Sequence, residues 1–180
     1  MLNKLELDSN KYSIFLSRDV DLKMAEFSRI ILVAFLSLVI SIILGLILIV
    51  ISLFLPTPSL TSLSRILLTV LLIWVTTLWQ IPFTLWLSRK TNLYFSMIIN
   101  TIAPLIIGTS FSLLDNWYIF PYDWSLKLLE PMTKMKINGI PFGTEYVPDY
   151  SMIYISLFLG VILFIILSEI SAISFKKQVK

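Results

Sequence analysis

The chain contains no cysteine and no histidine. Without a thiol there is no disulfide and no thiol nucleophile, and without an imidazole the commonest general base and most zinc sites are gone. The missing cysteine also removes any redox clue to the compartment. Glycine is scarce, with five in 180 residues, and none stands before a Lys-Ser or Lys-Thr pair, so no phosphate-cradling loop exists. Neither H-E-x-x-H nor G-x-S-x-G occurs, and no apolar segment holds a pair of carboxylates. An enzyme, or a chain with its own cofactor, therefore has nothing to stand on. Any ATP used with this chain must be hydrolysed by another polypeptide. The first residues, M-L-N-K-L-E-L-D, lack the apolar core of a signal peptide.

Charge is scarce too. Charged residues make up 14% of the chain and hydrophobic ones 57%, with a mean hydropathy of +0.90. Soluble domains carry about 25% charged residues. A soluble domain built from this chain would expose large apolar patches and aggregate. An all-α membrane protein is expected instead, with the lipid bilayer as its main partner. The net charge of +3 is spread over several segments. It points to loop asymmetry across a bilayer and not to nucleic-acid binding.

Four apolar segments stand out. Residues 1–29 are polar and charged, with Val20, Met24, Phe27 and Ile31 forming one apolar stripe at helical spacing and Asp19 as an N-cap candidate. This segment reads either as a juxtamembrane helix or as a docking helix for a partner. Segment A, 30–55, has no charge and ends at Pro56; Ser37, Ser41 and Gly45, four apart, make a flat stripe for close helix packing. Segment B, 66–87, holds Gln80, which needs a partner inside the bundle or contacts a substrate, and Pro82, which frees the Leu78 carbonyl and kinks the helix. Segment C, 93–114, follows the basic turn at Arg89-Lys90 and carries Asn100, Pro104 and Gly108 on one face. Segment D, 152–175, contains Glu169, an ionisable group within a span or, close to Lys176 and Lys177, an interfacial acid paired with lysine. A tail at 176–180 completes the chain.

Four spans place both termini on one side. With the termini inside, the inner segments carry ten of the fourteen basic residues, and the outer ones only Arg65, Lys127, Lys134 and Lys136. The positive-inside rule then makes both termini cytoplasmic. Residues 116–151 face outward. There Trp124, Leu128, Met132 and Met135 recur at helical spacing, and Asp123–Lys127 and Glu130–Lys134 are favourably ordered i,i+4 pairs. The spacing predicts one or two short amphipathic helices, bent at Pro131, lying at the outer membrane surface. A secondary transporter reading is weak, because segments B and C carry no charge.

The run W-Y-I-F-P-Y-D-W-S-L-K-L-L-E-P-M-T-K-M-K-I-N-G resembles a segment of lantibiotic-protection ABC transporter permeases, the group related to the epidermin and mutacin immunity subunits. The matching positions are Trp117, Pro121, Trp124, Lys127, Pro131, Asn138 and Gly139, with Lys127 where arginine is common. W-Q-I-P-F-T-L-W-L-S-R-K in segment B is similar to that group's fourth helix and basic turn. L-E-L-D-S-N-K-Y-S-I-F-L-S-R-D-V-D-L resembles the cytoplasmic loop after its second helix. The resemblance implies the last four spans of a six-span ABC-2 type permease, hence an N-terminally truncated or fragmentary product. It implies that residues 5–28 touch the ATPase subunit, with Asp19, Asp21, Lys23 and Glu26 as coupling residues, and that 116–140 form re-entrant or surface helices. Implied partners are an ABC ATPase, a second permease subunit or a second copy of the chain, and a lantibiotic peptide exported for producer self-immunity in a bacterial cell membrane. The alternative is a non-transporting membrane immunity protein that binds the peptide, or an inactive remnant. The residues proposed for the bundle interior are Gln80, Asn100 and Glu169.

Overall fold

The computed structural model describes residues 21–54, 62–111, 113–143 and 145–179. Helix α1, Leu22–Phe54, is one unbroken rod of 33 residues. Its length of about 50 Å exceeds the ~30 Å of a hydrocarbon core. The apolar stripe from Met24 onward and segment A, expected as separate pieces, thus form a single helix, because no proline interrupts Leu22–Phe54. Asp21 caps it, accepting from the Lys23 amide at 2.9 Å; Asp19 lies outside the described residues.

Segment B is two helices. Ser62 caps α2, Leu63–Thr77, and α3, Gln80–Lys90, follows after a break at Leu78-Trp79. Proline 82 cannot donate to the Leu78 carbonyl. That carbonyl instead accepts from the Ile81 amide at 3.1 Å, a tighter turn that makes the break. Asn92 caps α4, Leu93–Ala103, accepting from the Phe95 amide at 2.7 Å. Proline 104 then opens a π-helical stretch, Pro104–Gly108, followed by one turn at Thr109–Phe111.

A 3₁₀ turn at Trp117–Ile119 leads to α5, Asp123–Thr133, with Pro131 in its last turn. Lys134 ends it in the left-handed conformation (φ 56°). Asn138 and Gly139 then make a tight turn, in which Gly139 takes φ 80° and the Lys136 amide bonds the Ile140 carbonyl at 2.8 Å. The last helix, α6, is Ser151–Val179. No strand occurs among the described residues.

Three helical stretches are long and apolar enough to cross a membrane: Leu22–Phe54, Leu63–Lys90 (α2 and α3 taken together across their break) and Ser151–Gln178. Segment C does not match them in length, since its apolar helix runs only over Leu93–Ile106. Four helices of spanning length were expected; in segment C the helix passes through Pro104 into the π-helical stretch and on to Phe111. The faces turned away from the bundle are apolar, with Phe35, Leu53 and Phe158 each more than half exposed, which suits lipid contact.

Helix α2 packs on the small-residue stripe of α1. Gly45 faces Leu67 and Val70, and Ser37 Oγ accepts from the Trp74 indole at 3.0 Å. Helix α6 approaches α2 closely at Gly160, where a Cβ would meet the Thr76 backbone at 3.1 Å. Helix α5 packs against α2, α6 and the π-helical stretch.

Candidate functional site

Two polar and aromatic constellations organise the bundle. The first joins the start of α1, the end of α3 and the last third of α6. Glu26 is wholly buried, and Arg89 Nη1 donates to its Oε1 at 2.6 Å. Ser171 Oγ donates to the same oxygen at 2.7 Å. Arg89 Nη2 donates to the Ser171 carbonyl at 2.9 Å and to Ser171 Oγ. Arg29 approaches the other carboxylate oxygen at 3.7 Å. Beneath them lies the buried Phe175 ring, with the Arg29 guanidinium 4.7 Å and the Arg89 guanidinium 5.6 Å from its centre. A buried ion pair like this one survives because each charge has both a counter-charge and hydrogen bonds. It clasps three helices whose sequence positions are far apart. Lys23 and Glu169 add an exposed contact at 3.9 Å.

The second constellation surrounds Trp79 at the α2–α3 break. Trp117 and Trp124 are buried with it, and Phe83, Tyr122, Met152, Leu159 and Leu163 pack around them. Tyr122 meets Trp79 edge-on at 5.0 Å, and Trp124 at 6.5 Å. The Trp124 indole donates to the Tyr118 carbonyl at 2.9 Å. Asn100 ties this region to α3 and α4. It donates to Thr84 Oγ1 and to the Ser96 carbonyl, both at 2.9 Å, and Tyr122 Oη reaches its carbonyl oxygen at 3.4 Å.

Asp123, at the start of α5, is wholly buried beside Gly108, and neither carboxylate oxygen has a hydrogen-bond partner among the described residues. Burial pushes its pKa up to about 6, against the opposing pull of Lys127. Asp149 goes the other way: bonds from the Ser151 hydroxyl and amide at the start of α6 hold it below the usual carboxylate range.

Several expectations change against this geometry. The apolar face expected at the outer membrane surface is covered by protein: Trp124, Leu128 and Met132 are buried. Met135 falls outside the helix, in a bridge with Pro141. Lys127 bonds Glu130, three residues on, at 3.3 Å, and not Asp123; Lys134 leaves the helix face by turning left-handed. Pro131 sits buried in α5, while Asn138 and Gly139 are exposed in their turn and Pro121 is half-buried, so the matched motif positions do not converge on one point. Of the coupling residues, Asp21 is exposed and Lys23 is partly so, but Glu26 is sealed in the clasp and offers no docking surface. Glu169 is not interior, its side chain being 54% exposed. Asn100 is an interior polar node. Gln80 lines a groove of about 360 Å³ between α1 and the α2–α3 break, with Ser37, Ser41, Trp74 and Thr77.

Arg89 and Trp79 stood out in the sequence only as a basic-turn charge and as the first residue of the W-Q-I-P run, and Ser171 carried no signal. Their partners lie 63 residues or more away in sequence for Arg89 and Ser171, beyond any periodicity. Among the described residues no cluster of acidic side chains is placed to hold a metal. Comparison of the chain with protein-family models, curated proteins and solved structures finds no match.

Proposed function

We propose that this chain is a membrane-spanning subunit of an ABC-type exporter that removes a membrane-active peptide of the lantibiotic class from a bacterial cell membrane. The reading rests on the motif resemblance around Trp117–Gly139 of the sequence and on one observation, the Glu26–Arg89–Ser171 clasp. A displacement of the charged start of α1 is delivered through that clasp to α3 and α6 together, which is what a separate ATPase needs in order to tilt spans. In this reading the chain makes four passages, with α4 and the π-helical stretch forming the short one, both termini are cytoplasmic, and 116–151 lies on the outer side. The α2–α3 break and the π-helical stretch are the points where the passages bend. A second permease chain, identical or not, completes the pathway.

The test is peptide susceptibility of cells expressing the chain with and without the ATPase. Protection that requires the ATPase, and that Glu26→Gln abolishes at unchanged protein level, supports export. Protection without the ATPase refutes it in favour of a non-transporting immunity protein. Docking is tested separately at the accessible residues: Asp21→Lys with Lys23→Glu should reduce co-purification of the ATPase, and undiminished recovery counts against contact there.

A further inference from the structure

On the outer side of the clasp, a groove of about 490 Å³ opens between α3 and α6, at the same end of the bundle. Its volume lies within the range of small-molecule sites. Its walls divide by chemistry. Trp86, Ile170 and Ile173 form an apolar side, and both isoleucines are about two-fifths exposed toward the lipid-facing surface. Lys90 from α3 and Lys177 from α6 stand at its polar end, with the Ser174 hydroxyl between the helices. Arg89 also borders the groove, but its guanidinium is committed to Glu26 and Ser171. Neither Lys90 nor Lys177 has a carboxylate partner among the described residues.

The surrounding charge has the same sign. The described ends of α1, α3 and α6 carry Lys23, Arg29, Arg89, Lys90, Lys176 and Lys177 against Asp21, Glu26 and Glu169. Two exposed ammonium groups on different helices, without a carboxylate partner among the described residues, line one cavity and favour an anion between them. An apolar wall continuous with the lipid-facing surface selects an anion that carries acyl chains.

We propose that this groove binds an anionic phospholipid: the phosphate and headgroup between Lys90 and Lys177, the Ser174 hydroxyl donating to a phosphate oxygen, and an acyl chain along Ile170 and Ile173 under the Trp86 ring. Basic pockets between membrane helices are suited to such headgroups, and the indole belongs at the interfacial depth. The lipid would link α3 to α6 from outside, where the clasp links them from within. The proposal does not depend on the transport reading.

The experiment uses the full chain in detergent micelles and native mass spectrometry, titrating phosphatidylglycerol or phosphatidylcholine. A defined phosphatidylglycerol adduct is expected at lower lipid concentration than any phosphatidylcholine adduct. Lys90→Gln and Lys177→Gln should each weaken it about five-fold, and both together about thirty-fold, as for about 1 kcal/mol per surface cation. Lys134→Gln with Lys136→Gln, in the exposed turn, should leave it unchanged; all four side chains are exposed or lie outside the core, so folding is retained. Equal binding of the two lipids overturns the proposal, as does an adduct insensitive to Lys90 and Lys177. Displacement of the adduct by millimolar inorganic phosphate also overturns it, showing that the site reads phosphate alone.

Discussion

Replacing Glu26 by alanine removes a wholly buried carboxylate from Arg89, whose side chain is only 2% exposed. The arginine keeps the Ser171 carbonyl and the Phe175 ring, but it loses its counter-charge in a place that water does not reach. Breaking a buried pair from one side costs about 3–5 kcal/mol, chiefly the penalty of the charge left behind. Glu26→Gln retains one acceptor and should cost less, about 1.5–3 kcal/mol, the worth of a hydrogen bond to a charged group. At about 2–4 °C per kcal/mol for a chain of this size, the alanine variant should melt roughly 10 °C lower. The assay is thermal unfolding in detergent micelles, followed by far-ultraviolet circular dichroism. A double replacement, Glu26→Leu with Arg89→Met, tests the physical cause. It removes both charges and fills the space, so it should fall within about 1 kcal/mol of the parent, far from the sum of the single losses. Single variants that melt with the parent would refute a structural clasp. Strictly additive losses would refute the electrostatic explanation while leaving the packing intact.

Other outcomes follow from the same geometry. Gly160→Leu forces a side chain into the Thr76 backbone, 3.1 Å from the added Cβ, and should destabilise the α2–α6 contact by at least about 1–3 kcal/mol; Gly143→Ala, with nothing within 4 Å, is the control in the same melting assay. Trp124→Ala empties the aromatic core and should cost about 3–5 kcal/mol, with increased protease cleavage in 113–150 as a second readout. Asp123 has a folded-state pKa of about 6 against 3.8 for the free group, so the unfolded chain releases this proton first. Its contribution therefore favours the fold at low pH and is lost as pH rises from about 4 through about 6, by at most about 3 kcal/mol. Asp123→Asn should flatten that dependence and raise the melting temperature at pH 7; a lower melting temperature there would mean that the carboxylate is charged and held by a partner.

The long apolar helices were legible because they depend on local chemistry. Twenty uncharged residues in a row specify a helix that satisfies its own backbone in lipid, whatever else the chain does. The stripe of Ser37, Ser41 and Gly45 likewise advertised a close helix contact, and Pro82 a break. The π-helical stretch in segment C was less legible: Pro104 and Gly108 marked a bend, but such a stretch depends on what packs against it, here Leu126 and Asp123. For Asp123–Thr133 the helical periodicity matched the helix as far as Met132, but what covers its apolar face is protein. An amphipathic face shows that something apolar covers it, and sequence does not say whether that cover is lipid or a tryptophan from another helix.

The feature with most consequence at the basic end came from neither propensity nor period. Glu26, Arg89 and Ser171 are an ordinary acid, base and hydroxyl until three helices bring them within hydrogen-bonding distance. By itself the sequence determined that the chain is helical, with segments long and apolar enough to cross a membrane, because composition and periodicity are properties of short windows. Only the tertiary structure decided which charges are buried, which helix covers the tryptophans and which lysines are left facing a groove, because burial is a property of the neighbours that folding supplies.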